Sequence, residues 1–219
     1  MIDTDIFVTI LNKHIKQGKE MRKAAIVLFI LLYNIHLVNA NDLFIGIKFF
    51  GLSIHPTGAL NSQHMPLKFD KEGKFVLNTG ATINIEYFIY KDIISTKFVQ
   101  GLYGDCVQKL GGFSHLGLRG KIFRYEKHSL YGGVGPTFIY RENWYSLEEY
   151  DDGFSFFRGK PEDKWQYRFF WYGGEFEYNY EVKNNLFFST SFVPGFPDLA
   201  NLSIGFRGKI LINDNIYKK

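Results

Sequence analysis

The chain has 219 residues, of which 46% are hydrophobic and 22% charged, with a formal net charge of +4. That suffices for the core of one domain and is too apolar for a disordered chain. The small charge, with no long basic run, argues against a nucleic-acid partner. A single cysteine, Cys106, excludes an intramolecular disulfide and a cysteine-based metal cluster.

Residues 21–40, "MRKAAIVLFILLYNIHLVNA", open with Arg22 and Lys23, continue through an apolar run and end on Val38-Asn39-Ala40. This is the pattern of a secretory signal peptide cleaved after Ala40. The apolar run is short for a spanning helix, which needs about 20 residues, and a retained anchor is the alternative. Residues 1–20 would then be an upstream extension or a mis-called start, and 41–219 the mature chain.

From residue 41 onward the sequence alternates between apolar and polar positions in segments broken by turn residues. The predicted strands are 43–54, 73–90, 93–103, 108–125, 128–142, 165–182, 185–194 and 199–212. Their connections are very short at 91–92, 126–127 and 183–184, and long at 55–72 and 143–164. With 23 Phe, 14 Tyr and 22 Gly, the composition suits pleated surfaces. Eight antiparallel strands with short turns at one end and long loops at the other make an up-and-down barrel.

Alternation alone leaves two barrels possible, one the inside-out version of the other. A soluble lipocalin-like carrier turns its apolar face inward around a ligand, and a transmembrane barrel turns it outward into lipid. Side-chain volume separates them. In the stretch "NTGATINIEYFIY" (78–90), a tight turn at Lys91-Asp92 pairs Tyr90 with Ile93 and sets Glu86 opposite Lys97. The face carrying Glu86 mixes charges with glycines, and the other face is uniformly bulky. Eight strands enclose only enough room for side chains to fill, which fits the glycine-rich charged face. The expectation is therefore an all-β, eight-stranded antiparallel transmembrane β-barrel. Its lumen network would comprise Glu86, Lys97, Arg119, Lys121, Glu175, Glu177, Arg207 and Lys209, with Glu86 meeting Lys97. Rows such as Leu116 and Leu118, or Phe170, Tyr172, Phe176 and Tyr178, would face lipid.

On this pattern of strands, turns and faces, the chain resembles the small eight-stranded outer-membrane β-barrels of Gram-negative bacteria. The resemblance implies location in the outer membrane, short turns in the periplasm, and loops 55–72 and 143–164 on the cell surface. Members of that group usually end on an aromatic residue. Here Tyr217 would serve only if the last strand ran past 212.

Some barrels of this kind modify lipid A acyl chains with Ser, His and an acid. The candidates here are Ser114, His115 and Glu142, but neighbours in a strand point to opposite faces. His115 in the lumen would leave Ser114 facing lipid, out of hydrogen-bond reach. The His-x-Ser arrangement of the best-known deacylases of this type is absent from the sequence. His55 and His64 flank the first long loop and could bind a metal or act in acid–base work, but no third ligand stands at regular spacing. The second long loop carries Trp144, Tyr145, Tyr150, Asp151, Asp152 and Phe154. These read either as a surface for binding or as a membrane-interface girdle. The overall expectation is a monomeric, non-catalytic outer-membrane barrel without cofactor or metal. Its partners would be outer-membrane lipids and a surface glycan or protein ligand. A lipid A acyl hydrolase or acyltransferase is the alternative, and a soluble lipocalin-like carrier the third reading.

Overall fold

A computed structural model describes residues 42–151, 156–192 and 200–210. The proposed leader at 21–40, the segment 1–20 and Tyr217 lie outside the described residues, as do Asp152 and Phe154. The alternating segments form β1 (Leu43–Ile54), β2 (Phe75–Tyr90), β3 (Ile94–Gly104), β4 (Leu110–Tyr125), β5 (His128–Glu142), β6 (Trp165–Lys183), β7 (Leu186–Phe192) and β8 (Ala200–Ile210). Each pairs antiparallel with the next, and β8 returns to β1, with Leu43 opposite Ile210 and Ile54 opposite Ala200. The sheet therefore closes and leaves no open edge to aggregate.

Closure gives each strand a lumen face and an outer face. The outer face carries Ile47, Phe49, Ile83, Ile85, Leu102, Leu116, Leu118, Val134, Phe176 and Phe206, all exposed. The inner face buries Lys48, Glu86, Lys97, Arg119, Glu175, Glu177 and Arg207. Apolar outside and charged inside is the distribution of a barrel that meets lipid. It rules out the lipocalin-like carrier, which needs the apolar face within.

The lumen is layered. Toward the long loops, Phe50, Val99, Tyr103, Phe113 and Ile139 pack together, joined by Phe156, Phe157 and Phe170. The charged side chains fill the middle. Toward the short turns lie Phe44, Phe88 and Tyr131, with Phe187 against them. Small residues make the room: a Cβ on Gly101 would sit 2.5 Å from the Phe113 ring, and one on Gly117 would collide with a Glu175 oxygen. Small against large is how a narrow barrel fills without voids.

The predicted β2–β3 register holds from Gly80 opposite Tyr103 to Glu86 opposite Lys97. Near the turn it slips. The ladder is irregular between Phe88 and Tyr90, Tyr90 pairs with Ile94, and Ile93 belongs to the turn. A second irregularity has a larger effect. Gly135 pairs with Gly173 and Thr137 with Phe170, so Trp171 and Tyr172 together oppose Pro136. Two residues against one is a β-bulge, and it reverses the facing of the strand beyond it. Phe170, expected to face lipid, therefore packs inside against the core, while Trp171 and Tyr172 are both exposed.

Candidate functional site

The middle layer is an ion cluster built by six strands. Glu177 on β6 lies at its centre. One of its oxygens accepts from Lys97 at 2.6 Å and from Lys48, and the other from Arg207 at 2.6 Å and Arg119 at 3.3 Å. Arg119 also reaches Glu86 at 3.1 Å and Glu175 at 3.3 Å. Lys97 reaches Glu175 at 3.2 Å, and Arg207 reaches Glu86 at 2.6 Å. Four cations thus share three carboxylates, all almost fully buried. His115 donates to or accepts from Thr137 at 2.6 Å, with its other nitrogen 3.8 Å from Glu175. The cluster crosses the lumen from wall to wall, so its chemistry is cohesion across the barrel.

Three parts of the expected network differ in the structure. Glu86 and Lys97 are opposite in the ladder, yet no ion pair joins them: Lys97 extends to β6, and Glu86 turns to Arg119, Arg207 and Ser95. Long side chains converge on the barrel axis, where distant strands are nearer than ladder partners. Lys121 and Lys209 stand apart from the cluster at the short-turn end, paired with Asp92 and, at 2.6 Å, with Asp42. Lys48 belongs to the cluster and was missed. Its signal was a lone lysine on the same face of β1 as Gly46.

The catalytic candidates are not brought together. Ser114 faces outward and donates to Gln100 at 2.6 Å, and Gln100 in turn donates to Tyr140 at 3.2 Å. His115 is inside the barrel. Ser114 is opposite Phe138, and Glu142 lies four residues further along β5, roughly 13 Å at strand spacing. Glu142 accepts from the Leu110 amide at 3.3 Å.

The long loops close the other end of the lumen instead of protruding as a free surface. The side chain of Asn61 clamps the backbone of Asp151 at two points, donating to its carbonyl at 2.7 Å and accepting from its amide at 2.9 Å. Asn143 gathers its own loop, donating to the carbonyls of Lys160 at 2.7 Å and Asp163 at 2.6 Å. Trp144, read as a surface ring, is buried beside Met65, Val76 and Cys106, and its indole N–H donates to Asp105 at 2.7 Å. Tyr145 and Tyr150 meet edge to face, 5.1 Å between ring centres.

Asp105 shapes the β3–β4 turn, accepting from the amides of Val107 at 3.0 Å and Lys109 at 2.9 Å. Burial pushes its carboxyl above the usual range, against the Trp144 and backbone donors that favour the anion. Asp105→Ala leaves the Trp144 indole N–H buried without a partner, at a cost of about 1–3 kcal/mol. We expect limited proteolysis to cut within 143–164 in that variant and to spare the loop in the wild type. Equal resistance would mean that the Trp144–Asp105 bond does not hold the loop.

His55 Nε2 is 3.4 Å from the Cys106 sulfur. Burial pulls the imidazole down to about 4 and pushes the thiol up to about 12. Both are neutral near pH 7, so the pair has no thiolate to act as a nucleophile. His64 sits in the short 3-10 turn Ser62–His64. Among the described residues, no three His, Cys, Asp or Glu side chains converge as a metal site.

Between the two loops lies a pocket of about 340 Å³, lined by His55, Asn61, Arg141, Trp144, Tyr150, Phe156 and Phe157 among others. Phe156 and Phe157 belong to the same set of loop rings as Trp144 and Tyr150, whereas Arg141 went unnoticed in the sequence. Arg141 could have been found by parity, since it lies on the inner face of β5 with Thr137 and Ile139.

No protein-family model matches the chain, and no curated protein matches it in sequence. Comparison with solved structures does find similar folds. Ail, the attachment invasion locus protein of Yersinia pestis, solved with the heparin analogue sucrose octasulfate, is 13% identical, with a TM-score of 0.43 over 78% of this chain and 99% of that one. The N-terminal β-barrel domain of Pseudomonas aeruginosa OprF is 13% identical, with a TM-score of 0.42 over 78% and 98%. The outer membrane protein OprG of the same organism is 13% identical, with a TM-score of 0.41 over 80% and 98%. These three solved structures, to which the chain is similar, are small eight-stranded outer-membrane β-barrels of Gram-negative bacteria.

Proposed function

We propose that the chain is a monomeric, non-catalytic outer-membrane barrel that presents a ligand-binding layer formed by loops 55–72 and 143–164 at the cell surface. The observation that carries this reading is the distribution of side chains across the wall. A continuous exterior of Ile, Leu, Val and Phe encloses a slab of buried charge. In water such an exterior would far exceed the few hundred Å² of contiguous apolar patch that soluble monomers tolerate. In lipid it needs no cover.

The lumen favours a fixed support over a pore, because side chains fill it at three levels. The outward Ser114, engaged with Gln100, favours a binding role over acyl transfer. The loops favour binding because they are tied to each other over a pocket and not left as separate solvated segments. Delivery would use the leader at 21–40, and a surface glycan or protein ligand would meet the loop layer from outside.

Fractionation of cells, with the membrane fractions run on a gel with and without boiling, tests this. The expected result is a protein in the outer-membrane fraction whose unboiled form migrates differently from the boiled one. A soluble protein with no shift would overturn the reading.

A further inference from the structure

The middle of the lumen and its loop end treat positive charge differently. In the middle, each cation touches at least one carboxylate. At the loop end Arg141, almost fully buried, is held without one. Its Nε donates to Gln166 at 2.9 Å and its Nη2 to the Tyr150 hydroxyl at 3.2 Å. The guanidinium carbon lies 3.5 Å from the ring centre of Trp144 and 4.0 Å from that of Phe157. Among the described residues no carboxylate oxygen comes within ion-pair distance of it, and none accepts from its Nη1. Asp105, which acts on it from further off, is occupied by Trp144 and two amides.

The arrangement continues beyond Arg141. Phe157 meets Phe156 at 5.1 Å, and Arg168 lies 5.5 Å from Phe156 and 5.3 Å from Phe170. Arg168 Nε is buried with no hydrogen-bond partner. Rings and guanidiniums alternate, and ring faces offset part of the cost of burying such a cation. They do not replace an anion, because a planar fork of N–H donors matches a carboxylate or a sulfate far better than a π face.

Arg141 opens onto the pocket of about 340 Å³, which falls at the small end of the range for organic ligands. We propose that this pocket binds a small organic anion, a single oxyanion group on a ring-shaped body, with the oxyanion on the Arg141 guanidinium and the ring against Trp144, Tyr150 and Phe157. This deepens the proposed binding role and rests on it. The same chemistry is found in aryl sulfates and in acidic sugars, and the test separates the two.

Calorimetric titration of the full chain, folded in zwitterionic detergent, would use 4-nitrophenyl sulfate, 4-nitrophenyl glucuronide and the neutral 4-nitrophenyl glucoside. The expected result is that at least one anion binds tenfold or more tightly than the glucoside. Sulfate tighter than glucuronide assigns an aryl oxyanion, and the reverse an acidic sugar. Arg141→Gln, checked for folding by its unboiled gel mobility, should bring anion and glucoside to equal affinity. Thr57→Trp places bulk at an exposed position on the pocket rim and leaves Arg141 intact. It should weaken the preferred anion at least tenfold, and it decides the matter if Arg141→Gln does not fold. Equal binding of glucuronide, sulfate and glucoside by a wild type that shifts on boiling would overturn the inference and leave the barrel reading standing. So would an unchanged anion preference in a folded Arg141→Gln protein, or full affinity in Thr57→Trp.

Discussion

Glu177→Gln should destabilise the barrel by about 3–5 kcal/mol, the range for removing one partner of a buried ion pair. The shape of the side chain hardly changes, so the loss reports charge. Lys48, Lys97, Arg119 and Arg207 all contact this carboxylate, and the variant leaves four cations to share Glu86 and Glu175. Urea unfolding in detergent or vesicles measures the effect. A cycle with Lys48→Met sharpens it, because Lys48 has no other carboxylate within ion-pair distance among the described residues. Once Glu177 is neutral, removing the lysine charge should cost less than it does in the wild type, which gives a coupling of the size seen for side chains in one network. A loss below about 0.5 kcal/mol, the scale of an ordinary surface change, would mean that water fills the middle layer and screens it.

The second large effect is expected on the other face of the wall. Ile47 is 55% exposed and lies between Ile83 on β2 and Phe206 on β8. Ile47→Arg should cost about 2–4 kcal/mol if this position is near the middle of a bilayer. The same change at an exposed position in water is worth within about 0.5 kcal/mol. Leu60→Arg serves as the control, because Leu60 is at least as exposed as Ile47 but lies in the first long loop. Folding into lipid vesicles, titrated with urea, compares the two. Equal, small losses at both positions would place the outer wall in water.

Most strand limits and most facings were legible in the sequence because turns interrupt a strict period of two, and because Gly, Glu, Lys and Arg repeat on one side of it. Bulges were harder to read. Pro136 in "GPTF" is a signal, because a proline within a strand that has no open edge falls at a bulge, but the sequence does not say which residues oppose it, and that irregularity put Phe170 inside. The ladder partner of Glu86 was correct, but its ion partners depend on how tips cross a lumen, which a pairwise alignment of strands does not contain. Lys48 was hidden between Ile47 and Phe49 in a strand that otherwise reads as apolar. The loop at 143–164 has no period at all, so its rings could be counted but not aimed. The structure turns Trp144, Phe156 and Phe157 inward and leaves Asp151 exposed.

The layering of the lumen also bears on how the molecule responds to its medium. Screening requires mobile ions within reach of the charges, at distances comparable to a Debye length of about 8 Å in physiological salt. Here the charged slab lies between a ring layer of Phe50, Tyr103 and Phe113 and another of Phe44, Phe88 and Tyr131. Dissolved salt meets those rings before it meets Glu177. The attraction that spans the barrel should therefore change less between brackish and dilute surroundings than that of an exposed ion pair.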